Sequence, residues 1–105
     1  MTKERLSRFT TLRREITRTK KRLAMLGNSA EGEQHRRALE KYLADAENEA
    51  KLLLDYINSI EDFSVKEIFM LRYYDGVRPW QKVAFMAGEY DESYVRRKHN
   101  KQLRK

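Results

Sequence analysis

The sequence predicts an all-α protein. A long, coiled-coil-like antiparallel helical hairpin over residues 1–60 leads into a helix-turn-helix over residues 61–105. Three observations carry that expectation. No stretch alternates apolar and polar residues with period two over a useful length, which argues against strands. Two long stretches repeat apolar residues at spacings of three and four, the pattern of helices paired along a seam. Near the end, Pro79, Gly88 and Asp91 stand where a short helix, a tight turn and a second helix need them.

The first arm spans about residues 2–26, with no Gly or Pro, and its seam is Phe9, Leu12, Ile16, Thr19, Leu23 and Leu26. Thr19 is the one polar interruption. Arg8, Arg13, Arg14, Arg18, Lys20, Lys21 and Arg22 make the rest of this arm basic. Gly27 to Gly32 collects turn formers and is expected to be the loop. The second arm, about 33–60, has the most regular period in the chain: Leu39, Leu43, Ala46, Ala50, Leu53, Ile57 and Ile60. Two seams of similar length joined by a short loop predict antiparallel packing, with Ala46 and Ala50 allowing close approach. Tyr42, Leu54 and Tyr56 widen this stripe and are expected to pack on the C-terminal segment or on another subunit. The hairpin then serves either as an arm for dimerisation or polymerase contact, or as a brace.

Glu61-Asp62-Phe63 reads as a hinge, and Ser64-Val65-Lys66-Glu67 as a capping box opening a helix with Val65, Ile68, Phe69 and Leu71 on its apolar face. Asp75-Gly76 is a turn dipeptide. Pro79 suits the first position of the next helix, Gly88 its end, and Asp91 the N-cap of a last helix running to the terminus. Val95, His99 and Leu103 recur every four positions and are expected to face Val83, Ala84 and Phe85. Short helix, turn with Gly and longer basic helix form helix-turn-helix grammar, in which the second helix enters the major groove of DNA.

The charge agrees. The net charge of +7 is unevenly spread: residues 1–26 hold nine basic and two acidic side chains, 27–60 four and seven, 61–91 four and six, and 92–105 six and one. Positive ends around a net-negative middle suit a nucleic-acid binder. Hydrophobic residues make up 40% of the 105, enough for a modest core and one domain or a small domain with a helical extension. The absence of cysteine excludes disulfide scaffolds and thiolate chemistry and fits a reducing compartment. No apolar run approaches the ~20 residues of a membrane span, and no signal-peptide core follows the charged N-terminus, so a cytoplasmic location without membrane contact is expected.

The stretches Leu71-Arg72-Tyr73-Tyr74-Asp75-Gly76, Pro79-Trp80-Gln81-Lys82-Val83-Ala84 and Tyr94-Val95-Arg96-Arg97-Lys98-His99-Asn100-Lys101-Gln102-Leu103 resemble the C-terminal promoter-binding domain of bacterial sigma factors. More closely, they resemble small phage-encoded regulators with a sigma region-4-like helix-turn-helix, such as the RinA and ArpU late-transcription regulators. The resemblance covers about residues 59–105. It implies that Pro79 to Ala87 is the supporting helix and Asp91 to Lys105 the recognition helix. Glu92, Ser93, Tyr94, Arg96 and Arg97 match the family's groove-facing positions, and Val95 and Leu103 its buried ones. Lys98 departs from the pattern, because the family carries an aliphatic residue there. The chain lacks the sigma segment that melts DNA, so it is not expected to start transcription alone.

Enzyme chemistry finds no support in the sequence. His35 and His99 lack Cys or carboxylate partners at metal-ligand spacing, and no phosphate loop, nucleophile elbow or HExxH pattern occurs, so no cofactor is expected. The expected function is sequence-specific binding of double-stranded DNA by a phage or prophage transcription regulator in a host bacterial cell, in contact with RNA polymerase and dimeric through the hairpin. Arg78, Gln81, Lys82, Lys101 and Arg104 are expected on phosphates, and Ser93, Tyr94, Arg96, Arg97 and Asn100 at base edges. The alternatives are a DNA-recognition subunit of phage packaging or replication, similar to a small terminase, and a protein-interaction module built on the hairpin.

Overall fold

The computed structural model describes residues 1–26 and 30–105, all helix, turn or extended connection with no strand among them. The elements are α1 (Lys3–Ser7), α2 (Phe9–Met25), α3 (Ala30–Asn58), α4 (Phe63–Phe69), α5 (Trp80–Met86) and α6 (Glu92–Leu103). A π-helical turn, Met70–Tyr74, extends α4. The all-α expectation holds; several boundaries differ.

The first arm is not one unbroken helix, because Arg8 is a helical-turn residue separating α1 from α2. Residues 30–32, expected in the loop, lie inside α3, which starts at Ala30; the remainder of the expected loop, residues 27–29, lies outside the described residues. Asp62, not Ser64, caps α4: its carboxylate accepts the Ser64 N–H at 2.9 Å and the Val65 N–H at 3.4 Å. With those donors already satisfied, Ser64 is drawn into the first turn. Pro79 likewise stands one position earlier than expected. It is the N-cap of α5, in extended conformation, and its carbonyl accepts the Lys82 and Val83 N–H groups at 3.0 Å. The last helix stops at Leu103, short of the terminus.

α2 and α3 lie side by side, and their contacts run in opposite order along the two segments. Glu15 accepts the Tyr42 hydroxyl, Arg22 approaches His35 at 3.4 Å, and Arg36 donates to the Leu26 carbonyl at 3.1 Å. Arg5 of α1 closes the other end on Glu49, with bonds of 2.9 and 2.6 Å. That fork holds the Glu49 carboxyl below its usual range. Every seam residue of both helices is buried or half-buried, including Thr19. Tyr42 is exposed and bonded within the helix pair, so it does not pack on the C-terminal segment. Leu54 and Tyr56 do, against the cluster described next.

Two apolar clusters organise the molecule. The larger joins Leu6 and Phe9, Leu53, Ile57 and Ile60 to Val65, Phe69 and Tyr73. It crosses the junction between the paired helices and the C-terminal segment, so the two share one core. The smaller gathers Ile68, Leu71, Val83, Ala84 and Val95. α4 feeds both, because its two flanks carry Val65 and Phe69 on one side and Ile68 on the other. The π turn has a specific cost: widening it sends the Asp75 N–H to the Met70 carbonyl and the Val77 N–H to that of Leu71, both at 2.9 Å. The Tyr73 and Tyr74 carbonyls are taken by the other end of the chain. Thr10 donates to Tyr73 at 3.0 Å, and Arg13 donates to Tyr74 at 2.7 Å with its guanidinium 3.7 Å above the Tyr74 ring. These bonds fasten α2 to the start of the C-terminal segment.

Candidate nucleic-acid interface

α5 and α6 meet across a turn built by local chemistry. At the end of α5 the Glu89 N–H bonds the Ala84 carbonyl at 2.8 Å and the Gly88 N–H that of Phe85 at 3.2 Å, with Gly88 at φ 79°. This is a Schellman stop, which needs the left-handed conformation that glycine adopts without strain. Two residues on, Asp91 caps α6 by accepting the Ser93 N–H at 2.9 Å. The helices are held together where Val83 and Ala84 meet Val95.

Of the three residues expected to bury α6, Val95 and His99 are fully buried and Leu103 half-buried. They do not share one partner. Val95 enters the smaller cluster, whereas Leu103 packs on the larger, so α6 bridges both. Phe85 was expected among their partners, but it is 82% exposed. On so short a helix Val83 and Ala84 occupy the inward face, which turns Phe85 out toward solvent.

His99 sits between these clusters, stacked on Phe69 at 4.8 Å with the edge of Trp80 at 5.0 Å. Its hydrogen bonds assign the tautomer. The Asn100 side-chain oxygen can only accept, so Nδ1 carries the proton toward it at 3.0 Å; Nε2 then accepts the buried Tyr73 hydroxyl. Burial pushes the His99 pKa down, and the bond to Asn100 partly opposes it. The ring is therefore a neutral spacer that ties α4 to an exposed residue of α6.

The opposite face of α6 is open. Ser93, Tyr94, Arg96, Arg97, Asn100, Lys101 and Arg104 are exposed and Glu92 half-exposed; Arg78, Gln81 and Lys82 around the start of α5 are exposed as well. Local contacts pre-order several of these. Arg96 pairs with Glu92 at 3.2 Å, and the Arg97 Nε–H reaches the Ser93 carbonyl at 3.4 Å. Lys98 lays its ammonium 4.6 Å above the Tyr94 ring, and its bond to the Tyr94 hydroxyl raises its pKa.

Trp80 is the hub that the sequence did not disclose. The Arg72 guanidinium lies 3.8 Å above its ring and donates to the Arg78 carbonyl, while Arg96 sits 6.0 Å from the same ring. Two arginines from two elements are thus gathered at one aromatic residue. The only signal available beforehand was an aromatic residue at a helix start, which more often fills a domain edge. Among the described residues, no group of His, Cys, Asp and Glu is placed to hold a metal ion, and no helix is long and apolar enough to cross a membrane. In comparison with known proteins, the chain matches no family model, no curated protein and no solved structure.

Proposed function

We propose that the protein is a sequence-specific double-stranded-DNA-binding transcription regulator of phage or prophage origin. In this reading residues 61–105 act as a sigma region-4-like helix-turn-helix carried on the helical hairpin. The observation that carries it is the division of α6 into two faces: Val95 and His99 are buried, whereas Arg96, Arg97, Asn100, Lys101 and Arg104 face solvent along the other side. A helix docked on its own protein by one flank and cationic on the other has the form required to lie in a major groove. Arg97 and Asn100 are the base-reading candidates: arginine pairs with guanine through two parallel bonds and asparagine with adenine. Lys101, Arg104, Arg78 and Lys82 supply phosphate contacts that set the register. RNA polymerase and a second copy of the chain, met through the hairpin, are the proposed protein partners.

Selection of bound duplexes from a random pool by the full chain, followed by a salt titration on the enriched sequence, tests the proposal. A defined motif of a few base pairs, with affinity falling steeply with salt, is the expected result. No enrichment, together with no duplex binding at low salt, would overturn it.

A further inference from the structure

We propose that the outer face of α2, through Arg14, Arg18 and Lys21, is a second contact surface for the DNA phosphate backbone, flanking the base pairs addressed by α6. The inference rests on the DNA-binding reading above and extends it to a part of the molecule that the helix-turn-helix does not require.

Several basic side chains of the first arm have employment within the fold. Arg5 is paired with Glu49, Lys20 with Glu47 at 3.7 Å, and Arg13 with the Tyr74 carbonyl and ring. Arg14, Arg18 and Lys21 are exposed, and among the described residues none of them has an ion pair. Glu15, their nearest acid along the helix, accepts the Tyr42 hydroxyl. Spaced four and three apart, the three cations form one stripe on the side of α2 away from its seam. At 1.5 Å per residue the stripe covers about 10 Å, close to three base-pair steps of ~3.4 Å.

The stripe is also continuous with the arginines of the candidate interface. Ser7 and Thr10 line a crevice with Arg72, Tyr73 and Arg78, and Arg14 lies one turn beyond Thr10. Positive charge therefore runs from Arg96 past Trp80 to Arg72 and Arg78, then along α2. Thr10 and Arg13, bonded to the carbonyls of Tyr73 and Tyr74, fix the direction of the track relative to the helix-turn-helix. A phosphate backbone suits the stripe better than a membrane does, because the apolar seam of α2 is already committed to α3 and, apart from Ala24 and Met25 at the helix end, only cations and threonines are exposed.

The test uses the full chain and the duplex enriched by selection, prepared once with long flanks and once trimmed to the selected motif. Binding is followed by fluorescence anisotropy from low to moderate salt. With long flanks, the combined Arg14→Ala, Arg18→Ala, Lys21→Ala variant is expected to show a salt dependence shallower by about two to three units, at ~0.9 per lost phosphate contact, with base preference unchanged. On the trimmed duplex it should match the parent chain. The combined Arg14→Lys, Arg18→Lys, Lys21→Arg variant, which keeps the charge, is expected to retain the full slope. An alanine variant indistinguishable from the parent on long duplexes, while Lys101→Ala still loses about one unit, would overturn the second surface and leave the DNA-binding reading intact. Equal loss on long and trimmed duplexes would overturn the flanking placement. Failure of the parent chain to bind any duplex would overturn both.

Discussion

His99 shows how a residue type with several possible roles is settled by its surroundings. Buried against Phe69 and Trp80, it keeps its proton only below the usual histidine value, whereas the unfolded chain takes one up near ~6.5. Stability from this residue is therefore fully present above about pH 6.5 and is lost as pH falls from there toward the depressed folded value, because the unfolded state protonates first. We expect the melting temperature to drop between pH 7.5 and 5.5, above the carboxylate range, and the drop to shrink in His99→Gln, which bonds without titrating. A pH dependence identical in the two chains would show that His99 is not the group responsible. The glycines give a second residue-scale expectation. Gly76 and Gly88 both hold positive φ, at 75° and 79°, so alanine at either costs about 1–2 kcal/mol of backbone strain. A methyl at Gly88 meets open space, but at Gly76 it would lie 3.2 Å from Thr10 Cγ2 and press on the residue that bonds the Tyr73 carbonyl. Gly76→Ala is expected to lose more stability than Gly88→Ala in denaturant titrations, and the reverse order would contradict this account of the junction.

At the level of elements, α6 is the one whose two flanks do different work. Its inner flank reaches both apolar clusters through Val95 and Leu103, so its orientation is fixed from two sides. Its outer flank is then free to be judged by charge and reach alone. We expect Arg97→Ala to relax base preference at one position, at a cost of ~1–3 kcal/mol of discrimination. Lys101→Ala should weaken all duplexes alike and flatten the salt slope by about one unit. Equal losses on selected and random duplex for both variants would count against that division. The phasing of α6 was legible beforehand because helical periodicity separates Val95 and His99 from Arg96, Arg97 and Asn100 at any tertiary setting. The wrong placement of Phe85 has the same root. Periodicity names a face, but α5 has only seven residues, and which flank turns inward depends on where α4 and α6 lie.

For the whole molecule the decisive feature is the shared core. Val65, Phe69 and Tyr73 of the C-terminal segment complete their burial only against Leu6, Phe9, Leu53 and Ile57. Residues 61–105 alone are thus expected to be largely unfolded in water, and circular dichroism with thermal melting checks this. A cooperative transition in that fragment would show that the smaller cluster suffices. In the full chain we expect one transition, with Leu53→Ala, deep in the larger cluster and far from α6 in sequence, costing ~2–5 kcal/mol and lowering DNA binding only through loss of the folded fraction.

The sequence by itself determined the helical periodicity, the two seams, the αL turn at Gly88 and the cap at Asp91, since each depends on residues within a few positions of one another. The antiparallel contact of the long helices was legible too, because their periods match and their charges complement. Only the tertiary structure decided that Trp80 collects Arg72 and Arg96, and that α4 widens into a π turn whose carbonyls bind Thr10 and Arg13. The bonds to the π-turn carbonyls join groups some sixty positions apart in the chain, and local propensity carries no information about which distant donor will arrive at a vacant acceptor.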